Sequence, residues 1–215
     1  MILKPHSKLL FIGDSITDCS RSQPDGDGLF DELGQGYVSY VNALIQSTYP
    51  DLVIRVVNKG VNGNTVRELQ ERWQLDVVDE KPDSVVIFIG INDVWRHFHS
   101  PYKTETHVSI EEYSHALETF VGNTYPHVDN VILMTPFFLE KNQEDPMRRE
   151  MDCYRNVVKK IANRHGCILV DTQIPFDDHM KSVYTSALAW DRVHPNPTGH
   201  MILARAFLNE IGFQW

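Results

Sequence analysis

The chain has 215 residues, 42% of them hydrophobic and 23% charged, enough for one domain with a sizeable core and too few for two, so a single domain over residues 1–215 is expected. Its net charge of −9, with a pI near 5.5, lacks the basic footprint that nucleic-acid phosphates require, and anionic membrane surfaces would repel it. No apolar stretch approaches the roughly 20 residues of a bilayer span, so neither nucleic acid nor membrane is expected as a partner.

In chain order, near-continuous apolar runs at 9–12, 53–57, 85–89, 131–134 and 168–170 read as strands buried on both faces. Helical patterns lie between them. The first covers 37–47, and the second covers 66–78 with Leu69 and Trp73 at i,i+4. The third covers 110–123, where Ser109 and Glu112 spell a capping box. The fourth covers 146–164: Asp145 can cap it, Pro146 suits its first turn, and Gly166 ends it after a basic stretch. A last helix follows Asn196-Pro197 and covers 201–210. This alternation predicts a three-layer α/β/α fold on a five-stranded parallel, flavodoxin-like sheet in order 2-1-3-4-5, with ligands bound beyond the carboxyl ends of the strands. The irregular stretches 19–36 and 95–109 are the expected walls of a cleft at that rim.

The polar residues at the strand ends carry the chemistry. The first strand runs into Gly13-Asp14-Ser15, a tight turn that would present a serine hydroxyl. Near the other end, Asp191-Arg192-Val193-His194-Pro195 offers an imidazole base with its carboxylate orienter three residues earlier. A serine is a poor nucleophile until a neutral imidazole takes its proton, and that imidazole must be held in one tautomer. Pro195 disfavours helix at His194, leaving Asn196 to cap the next helix. A tetrahedral intermediate needs preorganised donors, and the backbone N–H groups of Ser15 and Gly63 with the side-chain amide of Asn92 fit that need. Asp14 is expected to bond within its own loop.

Other motifs point nowhere. His97 and His99 lack a third ligand, so no metal is expected. Gly26, Gly28, Gly34 and Gly36 make neither GxGxxG after a strand nor a P-loop, so no nucleotide cofactor is expected. Cys19, Cys153 and Cys167 show no CxxC spacing, and the first apolar run is too short for a signal peptide, which suits a cytoplasmic protein. Trp95 and Trp190 flank the polar blocks and are candidates to stack on a ligand or to pack in the core or a subunit contact. Phe213 and Trp215, costly to leave wet, suggest a homo-oligomer, with docking on their own domain as the competing account.

Gly13-Asp14-Ser15, Gly63, Gly90-Ile91-Asn92-Asp93 and Asp191-Arg192-Val193-His194 together resemble the SGNH (GDSL) hydrolases in all four of their blocks and in order. Asn58-Lys59-Gly60, Ile91 to Arg96, Asp145 to Arg149 and Ala187 to Pro195 resemble the bacterial intracellular acetylxylan esterases of that family. The resemblance implies an SGNH fold, a triad of Ser15, His194 and Asp191, and an acetylated xylo-oligosaccharide as the small-molecule partner. A thioesterase or lysophospholipase of the same family, or a carbohydrate-binding module with a vestigial triad, are the alternatives.

Overall fold

The computed structural model describes residues 1–24, 26–28 and 31–215. Its sheet contains β1 (Lys8–Gly13), β2 (Arg55–Gly60), β3 (Ser84–Phe88), β4 (Asn130–Met134) and β5 (Ile168–Val170), all parallel and in the order β2-β1-β3-β4-β5. β1 lies between β2 and β3 under helices on both faces, so its residues Leu9 to Ile12 are fully buried and the run is apolar without alternation. β2 starts two residues later than the apolar run suggests. Val53 takes a left-handed conformation (φ 50°) after a 3-10 turn at Pro50–Leu52 and points to solvent.

The helices are α1 (Ser15–Asp18), α2 (Tyr37–Thr48), α3 (Val66–Trp73), α4 (Ile91–His99), α5 (Ile110–Thr124), α6 (Pro146–His165), α7 (Gln173–Met180) and α8 (Pro197–Glu210). A π-helical turn, Gln74–Val78, prolongs α3. α2 and α8 pack together over Phe11, whose ring meets Tyr37 edge-on at 5.6 Å and Phe207 at 5.1 Å. α3, α5 and α6 form the other layer, where Trp73 stacks on Phe120 at 4.2 Å and Tyr113 meets Tyr154 at 4.9 Å.

The helix ends follow their capping chemistry. Asp145 accepts from the N–H groups of Met147 and Arg148 at the start of α6, and Gly166 ends it. At α5, Ser109 accepts from the Glu112 N–H, but the Glu112 carboxylate that should return the bond is taken by Arg67. The reciprocal box forms instead at α3, between Thr65 and Glu68.

Three helices depart from the sequence expectation. α1 is a single turn, too short to leave a period. α4 runs into the first third of what reads as an irregular wall; Ile91, Val94, Trp95 and Phe98 carry its i, i+3, i+4, i+7 spacing, hidden by the turn-like Asn92-Asp93. α7 has Gln173 at its start, whose side-chain amide pairs with both backbone groups of Phe138. All five strands end at one rim, and α1 lies across the end of β2 there. A Cβ on Gly60 would stand 2.1 Å from the Asp18 nitrogen, so only glycine permits that approach.

Candidate active site

β1 ends at Gly13, and Asp14 caps α1 by accepting from the Ile16 N–H at 3.0 Å, which makes Ser15 the first helical residue. Burial pushes the Asp14 carboxyl up to about 7, against the pull of the Ile16 bond and of the His194 and Arg72 charges. Asp14 therefore builds the turn that presents the serine.

The expected base lies 179 residues further on. His194 Nε2 lies 3.0 Å from Ser15 Oγ. Its Nδ1 lies 2.6 Å from Asp191 Oδ2, while Asp191 Oδ1 accepts from the N–H groups of Val193 (2.9 Å) and His194 (2.8 Å). With the proton on Nδ1, Nε2 presents its lone pair to the serine hydroxyl. Burial raises the Asp191 carboxyl, but the bonds from the His194 ring and from the two backbone N–H groups outweigh it, holding the group below the usual carboxylate range. The turn needs Arg192 in a left-handed conformation (φ 66°). Three contacts hold it there: Leu139 N–H to the Arg192 carbonyl (3.0 Å), its guanidinium on Glu140 (2.7 Å), and the same group over the Phe138 ring (4.9 Å). Asn196 then caps α8 through the Gly199 N–H.

The other two residues expected to donate follow β2 and β3, the strands on either side of β1. Gly63, in the loop after β2, has φ +79°, a region that favours glycine. Asn92 is buried in the first turn of α4, and its Nδ2 donates to the Asn64 carbonyl at 3.0 Å, which commits one amide hydrogen and leaves the second for a ligand. Gly63, Asn92, Trp95, Arg96, His99 and Lys103 border a cavity of about 390 Å³.

The model of the GDSL-like lipase/acylhydrolase family matches residues 11–202. The chain belongs to that family. It is similar to an acetylxylan esterase of Geobacillus stearothermophilus, 59% identical over 208 residues, or 97% of this chain and 95% of the esterase. The crystal structure of Axe2, an acetylxylan esterase from that organism, superposes with a TM-score of 0.99 at 57% identity, covering 100% of this chain and 98% of Axe2. Axe2 has also been solved as the catalytic mutants S15A, H194A and D191A. LAE5, an alpha/beta hydrolase from the metagenome of Lake Arreo, Spain, matches at TM-score 0.97 and 48% identity over 99% of this chain and 98% of its own.

Within this GDSL-like hydrolase, several polar residues of the two expected wall stretches, 19–36 and 95–109, bond to the protein itself. Arg21 is buried, with Nε on the Gly60 carbonyl (2.7 Å) and Nη1 on the carbonyls of Ser22 and Pro24 (2.8 Å each). Asp27 pairs with Arg55; Asp25 lies outside the described residues. His97 sits between Glu150 and the Val108 carbonyl, whereas His99 is exposed beside Ser100, so the two go separate ways. Among the described residues, no three His, Cys, Asp or Glu side chains gather as metal ligands.

The two tryptophans differ. Trp95 is half-buried, its ring edge-on to His194 at 5.6 Å and 5.4 Å from His99, and it forms one wall of the base. Trp190 is 91% exposed and borders a separate shallow surface with Tyr184 and Arg192. Arg96 falls in the sequence within the stretch 95–109 expected as a cleft wall, with no role of its own. Its Nη2 donates to the Gly63 carbonyl at 2.6 Å, tying the glycine loop to α4. The signal was its i,i+4 spacing from Asn92, legible only once α4 is known to be helical.

Proposed function

We propose that this chain is a serine esterase that removes acetyl groups from acetylated xylo-oligosaccharides through an acyl-enzyme, as one domain working without metal or cofactor. The observation that carries the reading is the continuous chain of contacts from Ser15 Oγ to His194 Nε2 (3.0 Å) and from His194 Nδ1 to Asp191 (2.6 Å).

In this reading His194 takes the Ser15 proton as Oγ attacks the acetyl carbonyl. The oxyanion forms against the N–H groups of Ser15 and Gly63 and the Asn92 amide. Collapse breaks the ester bond, and the departing sugar oxygen takes the proton from His194. Water, deprotonated by the same imidazole, then attacks the acetyl-serine, releasing acetate and restoring the hydroxyl. Asp191 stays ionised and stabilises the imidazolium in both halves.

The acetylxylan esterase relatives support the sugar substrate. Arg96, His99 and Lys103 beside the oxyanion donors suit a polyhydroxylated leaving group better than a fatty chain. Among the described residues no helix is long and apolar enough to cross a membrane; a cytoplasmic location is proposed. A homo-oligomer is proposed as well. Phe213 docks on its own chain against Tyr49 at 5.4 Å, and Trp215, though 61% exposed, packs on Phe213 at 4.9 Å and donates to Asn209 at 2.6 Å, so the proposal leans on Trp190, which is 91% exposed.

A series of aryl esters tests the substrate. kcat/KM should fall steeply from acetate to butyrate and be negligible at octanoate, and acetylated xylo-oligosaccharides should release acetate. Each excess methylene in a tight acyl site is worth about 1 to 3 kcal/mol of discrimination. Equal or better turnover of octanoate would point to a thioesterase or lysophospholipase. Absence of labelling by a serine-directed phosphonate would leave a binding module.

A further inference from the structure

We propose that Arg72 is a positioning residue for ester cleavage: its guanidinium holds the strand end that carries the nucleophile in register with the loop and the amide that receive the oxyanion. This rests on Ser15, Gly63 and Asn92 being the oxyanion donors.

Arg72 lies near the end of α3 with its side chain 16% exposed, and its donors reach three different elements. Nη2 donates to the Gly13 carbonyl at 3.0 Å, two residues before Ser15. Nη1 donates to the Lys59 carbonyl at 2.7 Å, at the end of β2, and to Asp76 at 2.7 Å. Nε donates to the Asn64 side-chain oxygen at 2.7 Å, in the residue after Gly63. Asn64 passes the constraint on, because its carbonyl accepts from Asn92 Nδ2 at 3.0 Å. One half-buried cation thus joins the ends of β1 and β2, the glycine loop and, through Asn64, the α4 amide.

Stabilising α3 alone would need only the i,i+4 pair with Asp76. The other acceptors are main-chain and amide oxygens at the ends of β1 and β2 and in the glycine loop, the segments that lead into Ser15 and Gly63. An oxyanion hole works only if its donors stand in place before charge develops, so small displacements lower the rate of the chemical step. Arginine suits this task because its planar fork offers five N–H groups in fixed directions. Lysine keeps the charge but concentrates its donors at one point and cannot span acceptors on three elements.

The test compares Arg72→Lys with Arg155→Lys, whose guanidinium is spent on Asp152 and Asp171. On 4-nitrophenyl acetate, Arg72→Lys should lower kcat by about 30- to 100-fold with KM within about twofold, as for loss of a transition-state interaction. Arg155→Lys should leave kcat within about twofold even where it lowers the melting temperature as much. Asn64→Ala, which cuts the relay while leaving Arg72, should cost kcat about 10-fold, and adding it to Arg72→Lys should cost little more.

Wild-type kcat in Arg72→Lys, an equal loss in Arg155→Lys, or fully additive effects of Arg72→Lys and Asn64→Ala would overturn the proposal. Should Arg72→Lys not fold, Asn64→Ala decides alone: its acylation by a serine-directed phosphonate should slow in proportion to kcat, and an unchanged rate overturns the proposal. Asn92→Ala separates the two layers. If it leaves kcat intact the oxyanion reading itself fails, whereas if it lowers kcat and Arg72→Lys does not, only the role of Arg72 falls.

Discussion

One carboxylate, Asp191, both closes the turn that carries His194 and selects the tautomer of its ring, with a separate oxygen for each task. Ser15→Ala should therefore cost on the order of 10⁶ in kcat, by analogy with measured triad deletions. Asp191→Asn should be severe but milder, because the turn survives while the tautomer and the imidazolium lose their support. Turnover above a tenth of wild type in Ser15→Ala would remove the serine from its role. A histidine base must be neutral, so kcat/KM should fall on acidification, and a profile flat to pH 4 would exclude it. Ser15, Gly63, Asn92, Asp191 and His194, the residues to which the proposed mechanism assigns roles, stood out in the sequence because that chemistry lies in the side chain or in a glycine whose spacing can be counted. Arg72 and Arg96 were not. Their partners include main-chain carbonyls, which every residue has, so no pattern of letters marks the acceptor.

At the scale of elements, the helices read from their period or caps are all present, whereas the turn-like Asn92-Asp93 masked α4. Asp93 explains part of that disguise: it reaches from α4 to the first N–H of α3, accepting from Val66 at 3.1 Å. Its second oxygen is buried and has no partner among the described residues. Burial pushes its carboxyl up to about 7, and the neighbouring Asp14 and Glu68 charges add to the rise against that hydrogen bond. A carboxyl raised in the folded state is a source of stability below its unfolded value near 4, and that stability drains away as pH rises to 7. A shift of this size corresponds to about 4 kcal/mol at most. Asp93→Asn keeps an acceptor for Val66 and cannot ionise. The variant should gain stability relative to wild type as pH rises from 4 to 7, with the difference level above that. Urea denaturation at pH 4, 6 and 8 would show this, and a constant offset between the two proteins would exclude it.

Across the whole molecule, the order β2-β1-β3-β4-β5 gathers the turns after β1, β2 and β3 at the place where the chain reverses its direction of winding, and the site forms there. That much was legible from alternating apolar runs, since buried parallel strands leave few other arrangements. Which surface would carry the proposed association of copies was not, because exposed aromatics such as Trp190 and Trp215 look in sequence like any core residue. Light scattering at micromolar concentration should give a mass that is a multiple of 24.8 kDa, and a stable monomer would end the oligomer reading. The separation of 179 residues between nucleophile and base also bears on biosynthesis. A ribosome delivers the serine early and its activating imidazole only after all five strands have been made. Throughout that interval the nascent chain carries an inert alcohol, unable to attack any ester it meets, and hydrolysis switches on only when the fold has closed around both ends of the message.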